Sequence, residues 1–147
     1  MALFFSASNS VFGRVEIVSD QMAVDEVAHA ILNSLVFSSG TPTDWQLHSI
    51  SDVNSFGLAT SANVLDTNKV VTLINSLNNE SEYLSTKTKL GIGPYEFYLR
   101  IIDRSGVEVI GGGNLAVDPE MKLIYERIVL YNSTPVVLQA IVSLEVL

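Results

Sequence analysis

The chain reads as an α+β protein in which a long N-terminal helix packs on a four-stranded antiparallel sheet, with one or two short helices inserted between them. Three observations predict this. Apolar residues recur every three or four positions before residue 38, they recur every second position from Tyr95 onward, and Gly, Pro, Ser and Asn crowd the stretch between. A sheet of this kind must cover one face, and the leading helix has the apolar stripe to do it.

Between Asn9 and Phe37 there is no proline and Gly13 is the only glycine. Val11, Val15, Val18 and Met22 mark one helical face, and Val24, Ala28, Ile31 and Leu35 continue it after a two-residue shift. Val27, Leu32 and Val36 widen the stripe toward the C-terminal end, while Arg14, Glu16, Asp20, Gln21, Asp25 and Glu26 form the polar face. The helix is expected to stop at Ser38-Ser39-Gly40, with Pro42 just beyond.

Residues 40–64 read as an ordered loop pinned by Trp45, Leu47, Ile50, Val53, Phe56 and Leu58, with room for one or two short strands. Asp66 or Thr67 then caps a second helix carrying Val70, Val71, Ile74 and Leu77 and broken at Asn78-Asn79. A third helix is expected from about Ser81 to Leu90, closed by Gly91.

In the last third, Tyr95, Phe97, Leu99 and Ile101 alternate with Glu96, Tyr98, Arg100 and Ile102, and Asp103-Arg104-Ser105-Gly106 turns the chain into Val107–Ile110. A second hairpin runs from Lys122 to Tyr131, turns at Asn132-Ser133-Thr134-Pro135, and returns with Val136, Leu138, Ala140, Val142, Leu144 and Val146 on one face. The expected organisation is one domain over residues 1–147: the helix in 1–38, loop and short helices in 39–94, and the sheet in 95–147.

Composition narrows the function. With 48% hydrophobic residues the chain can bury a core, and with only 16% charged residues its surface is largely uncharged and polar. The net charge of −8 repels a phosphate backbone, so nucleic acid is not an expected partner. The absence of cysteine removes disulfides, thiolate metal sites and a Cys nucleophile. Met1–Phe5 has neither a basic n-region nor a cleavage pattern, and is expected to be the stump of a longer apolar segment.

The motifs favour structural readings. Gly111-Gly112-Gly113 lacks the context of a phosphate cradle and reads as a loop or bulge between hairpins. Gly91-Ile92-Gly93-Pro94 reads as a helix stop with a rigid lead into the next strand. His29 and His48 have no ligand spacing, and Asp103, Glu108, Asp118 and Glu120 fit turn chemistry and solvated positions. No catalytic, cofactor-binding or metal-ligating residue is therefore assigned, and the protein is expected not to be an enzyme. Asn79-Glu80-Ser81 and Asn132-Ser133-Thr134 are glycosylation sequons at solvent-facing breaks, which makes Asn79 and Asn132 candidate glycan acceptors beside a plain turn-forming role.

Several stretches resemble the ectodomains of archaeal type IV pilin-like proteins. They are Ala30–Phe37 running into Ser39-Gly40-Thr41-Pro42-Thr43-Asp44-Trp45, Phe56-Gly57-Leu58-Ala59 followed by Asn63-Val64-Leu65-Asp66 and Lys69, Lys89-Leu90-Gly91-Ile92 leading to Tyr95–Asp103, and Glu126–Tyr131. The resemblance follows most of the chain in order. It implies a class III signal sequence and a membrane-spanning N-terminal helix upstream of the present start, neither of which is in this sequence, and an extracellular or cell-surface location. It implies partners that are like subunits or other surface proteins, met through Val11, Val15, Val18 and Met22, with the membrane as partner of the full-length protein. The rival expectation is a soluble ligand-binding or sensory domain with a pocket between Trp45, Phe56, Tyr95 and Tyr98.

Overall fold

The structure, a computed structural model, describes residues 11–117 and 119–145, with side chains from 23 to 117 and from 121 to 144. Helix α1 spans Val11–Phe37. Its last carbonyls would be orphans at a free helix end. Here they are taken by the following chain: Leu58 N–H donates to Leu35 O at 2.9 Å, Asn63 N–H to Val36 O at 2.8 Å and Ala59 N–H to Ser38 O at 3.0 Å.

Strands β1 (Gly40–Thr41) and β2 (Ser55–Phe56) pair antiparallel and close the loop between them. Trp45 is the plug of that loop: it is fully buried, meets Phe56 edge-on at 5.0 Å, and donates from Nε1 to Gly57 O at 2.8 Å. Gly40 is required here, because its φ is +91° and a Cβ would sit 2.4 Å from the Trp45 ring. The ammonium of Lys69, itself buried, holds the other side of the loop by donating to Ser39 O and Thr43 O, both at 2.6 Å.

Strands β3 (Ala59–Ser61) and β4 (Val64–Leu65) follow, then α2 (Thr67–Asn78) and α3 (Glu80–Leu90). Asp66 caps α2 by accepting from Lys69 N–H, and Asn79 caps α3 by accepting from Ser81 N–H. The remaining strands are β5 (Glu96–Ile102), β6 (Glu108–Gly113), β7 (Pro119–Tyr131) and β8 (Thr134–Glu145). The Asp103 carboxylate closes the β5–β6 turn by accepting from Ser105 and Val107 N–H. Asn132 and Ser133, with φ of 53° and 63°, make a two-residue turn between β7 and β8, and Tyr131 pairs with Thr134.

The main sheet has the order β3-β4-β7-β8-β5-β6, antiparallel except for the parallel β4–β7 contact at Val64 and Leu130. Phe97, Leu99 and Ile101 of β5, Leu138, Ala140 and Val142 of β8, and Tyr125 and Val129 of β7 turn inward. They meet Val24, Ala28, Ile31, Leu32 and Leu35 of α1 and Val70, Leu73, Ile74 and Leu77 of α2 in one continuous core.

The expected fold class is thereby corrected. A long N-terminal helix on a four-stranded antiparallel sheet is not what the chain forms: the described residues make three α-helices and a curled, mixed sheet of six strands. The stretch 39–94 is not merely loop and short helices, because β3 and β4 within it join the sheet and one of them pairs parallel. Nor does one helix cover the sheet, since α2 shares the core with α1. Gly111-Gly112-Gly113 is not a connecting loop but the end of β6, and the Asn132–Pro135 turn uses two residues, with Thr134 and Pro135 already in β8.

Candidate interaction surface

Alternation along the strands sends every second residue to the sheet face opposite the helices. Across β6, β5, β8 and β7 that face carries a polar row. Tyr98 Oη donates to Glu108 Oε1 at 2.9 Å, Arg100 lies 3.6 Å from the same carboxylate, Arg100 Nε donates to Gln139 Oε1 at 2.7 Å, and Gln139 Nε2 donates to Glu126 Oε2 at 2.7 Å. Burial, and then the bond to Glu108, raises the Tyr98 hydroxyl above its ordinary value. Beside this row stand exposed apolar side chains on β7, with Ile128 76% and Ile124 51% accessible. The residues leaving β6 cross the same face, with Ala116 N–H donating to Ser143 Oγ at 3.0 Å, and they expose Leu115 and Val117.

On the helix side, α1 and β7 are joined by a polar seam. Tyr125 Oη donates to Asp25 Oδ1, His29 meets the Tyr125 ring edge-on at 5.3 Å, and the Arg127 guanidinium donates to His29 Nδ1 at 3.1 Å and Asn33 Oδ1 at 3.2 Å. Burial of the Tyr125 hydroxyl, then its bond to Asp25, pushes its pKa well above the ordinary phenol value. Asp25, His29 and Asn33 are spaced four apart, so a single flank of α1 carries the seam. A second tyrosine lock lies between α3 and β5: Tyr83 Oη donates to Glu96 Oε1 at 2.6 Å and accepts from Phe97 N–H at 3.0 Å.

Strand β6 at the sheet edge and strand β7 beside the short β4 differ in what meets their outer backbone groups. At β6, the Asn78 carboxamide from α2 donates to Gly111 O at 3.2 Å and accepts from Gly113 N–H at 3.1 Å, taking the place of a further strand. At β7, β4 pairs only at Leu130, so among the described residues no strand lies beside Lys122–Ile128. The contact there is Arg127 Nη1 donating to Glu126 O at 3.0 Å.

The sequence-derived candidates distribute as follows. Val11, Val15, Val18 and Met22 lie on the backbone span of α1, but their side chains are outside the described residues, as are those of Asp118 and Glu120. Asn79 and Asn132 are both exposed; each uses Oδ1, Asn79 to cap α3 and Asn132 to accept from Thr67 Oγ1 at 2.8 Å. A glycan on Nδ2 would leave both of those bonds in place. Trp45, Phe56, Tyr95 and Tyr98 do not converge on one pocket, because Trp45 and Phe56 are packed inside the core while Tyr98 lies on the outer face. A cleft of about 230 Å³ lies instead between α1 and α3, floored by Ile31, Leu35 and Phe56 and edged by Lys89. His48 Nε2 pairs with Asp44 at 3.0 Å on the surface.

Sequence reasoning missed Asn78, Tyr125 and Arg127. Each acts across 33 residues or more, and the nearest signal was a polar residue where the apolar pattern expected an unremarkable one. Among the described residues no helix is long and apolar enough to cross a membrane, and no three acidic or histidine side chains cluster as metal ligands would. No family model matches the chain, and no curated protein or solved structure matches it.

Proposed function

We propose that this chain is a non-enzymatic cell-surface protein, a pilin-like subunit or membrane-anchored surface component acting in adhesion or filament assembly. In this reading its N-terminal helix meets like subunits or other surface proteins and, in the full-length protein, the membrane, while the sheet domain faces outside. The observation that carries the reading is the way α1 is rooted. Its C-terminal half sinks Val24, Ala28, Ile31, Leu32, Leu35 and Val36 into the core, and the Asp25, His29 and Asn33 flank is tied to β7. A helix held on two sides in this way transmits its orientation to the sheet as one rigid piece. The acidic, weakly charged surface and the exposed Asn79 and Asn132 sequons suit an external, glycan-bearing head.

The test is to read the coding sequence upstream of Met1 and to follow the full-length product in its own cells. The expected result is a segment of about 20 apolar residues and recovery of the protein in the membrane or sheared-filament fraction, with added mass at Asn79 or Asn132. A full-length product that begins at Met1 and accumulates in the cytosol overturns the reading.

A further inference from the structure

The geometry points to a second copy of this chain as the occupant of the free edge of β7, paired antiparallel about a two-fold axis at Ile124. The edge that remains between Lys122 and Ile128 carries the right hydrogen-bonding groups in the right register, and its side chains complement themselves.

The backbone phase follows from the turn. With Tyr131 and Thr134 closing a two-residue hairpin, the odd-numbered residues of β7 exchange ladder bonds with β8. The even-numbered residues aim N–H and C=O the other way, as Leu130 demonstrates by donating to Asn63 O at 2.8 Å. From Lys122 to Tyr131 the register with β8 is unbroken, so Lys122, Ile124, Glu126 and Ile128 present their backbone groups at the edge. The window is bounded by β4 at Leu130 and by the irregularity at Pro119, which has no N–H to give.

Charge then selects the register. An axis at Ile124 places Lys122 opposite the partner's Glu126, Ile124 opposite the partner's Ile124, and Glu126 opposite the partner's Lys122, all as hydrogen-bonded pairs. An axis at Tyr125 sets Lys122 against isoleucine and Ile124 against glutamate, and an axis at Glu126 sets two carboxylates against each other. The same four side chains stand on the exposed outer face, so Ile124, which already stands opposite Ile141 of β8 and is still 51% accessible, gains a second apolar neighbour in the pair. Arg127 need not leave, because the Glu126 carbonyl has a second lone pair for a strand N–H. Helix α1 meets β7 through the polar flank of Asp25, His29 and Asn33 as well as through the shared core, and those bonds use the inward side chains Tyr125 and Arg127, not the outward Lys122, Ile124 and Glu126. The pairing needs only the sheet and stands independently of attachment through the N-terminal helix.

The test is sedimentation of the full chain, with folding of every variant checked by circular dichroism. The expected mass is twice the 16.0 kDa of the chain. Lys122→Glu is expected to raise the dimer Kd at least about tenfold, by turning two attractive pairs into two repulsive ones, and adding Glu126→Lys is expected to restore it to within about threefold. Because the chain has no cysteine, Ile124→Cys and Ile128→Cys each carry a single thiol. A short bis-maleimide should join two copies at position 124 and not at 128, where the symmetric sites lie about 27 Å apart along the strands. A single-copy mass at the highest soluble concentration overturns the proposal. So does a dimer indifferent to Lys122→Glu, or one cross-linked as well at 128 as at 124.

Discussion

Strand β6, at the edge of the sheet, and β7, which β4 pairs only at Leu130, face the same physical problem, a row of unpaired N–H and C=O groups, and solve it by different means. At β6 the solution is internal: Asn78 reaches from α2 and satisfies Gly111 O and Gly113 N–H with one carboxamide. At β7, among the described residues, the edge between Lys122 and Ile128 is left to alternating charges and one arginine contact at Glu126 O. An edge closed by its own helix is committed to the fold. An edge patterned Lys-Ile-Glu-Ile at alternate positions is open to a strand of complementary pattern, and its own copy supplies one.

The sharpest way to break this contrast is at Gly112, and the expected effect is the largest. A Cβ there would lie 2.6 Å from Ile74 O and 3.0 Å from Asn78 Cγ. Gly112→Ala must push α2 off β6, at an expected cost of about 2–3 kcal/mol measured by chemical denaturation. Next is Asn78→Ala, which removes both capping bonds and should cost about 1–2 kcal/mol. It should also add concentration-dependent light scattering, because β6 then presents an open edge. Asn78→Asp sharpens the point: a carboxylate still accepts from Gly113 N–H but sets an acceptor against Gly111 O, so it should not recover the stability of the asparagine.

Arg127→Gln probes the other edge. It loses the bonds to His29 and Asn33 and uncovers Glu126 O, all at exposed positions, so the expected loss is about 0.5–1 kcal/mol. In the paired form the uncovered carbonyl is free for a strand donor. Sedimentation should therefore show the variant dimerising at least as tightly as the native chain while being less stable as a single copy.

What the sequence made legible and what it hid divide along the same line. The period-two segments, which become β5, β7 and β8, are readable because each strand buries one face along many residues. Strands β3 and β4 are two or three residues long, too short for any period, and their place in the sheet depends on a parallel contact with Leu130 far along the chain. This is why the four-stranded expectation failed. The triple glycine looked like a linker because glycine usually supplies turns. Here Gly112 exists so that a helix can come close, a reason visible only once α2 is in place. The seam residues Tyr125 and Arg127 occupy inward positions of β7 like ordinary core members, and nothing local says that they face an Asp and a His on α1.

An effect at neutral pH no larger than that of Arg127→Gln carries the most specific signature. Tyr125 ties the β7 side of the sheet to α1 through Asp25, and burial, then that bond, raises its pKa in the folded protein. A folded-state pKa above the unfolded one favours the protonated native form. The stabilisation is therefore whole below the ordinary tyrosine value of about 10 and is lost as pH rises above it, where the unfolded chain ionises first. Tyr125→Phe should cost about 0.5–1 kcal/mol at pH 7, the worth of one hydrogen bond to a partly exposed carboxylate. In urea titrations above pH 10 the gap between native chain and variant should close, because phenylalanine has no proton to lose. Tyr83, raised by burial and by Glu96, keeps part of the alkaline slope in the variant, so the slope should shrink without vanishing. A gap that stays constant or widens above pH 10 would mean that the Tyr125 hydroxyl does not tie β7 to α1, and the β7 edge would lose the seam that sets it beside the helix.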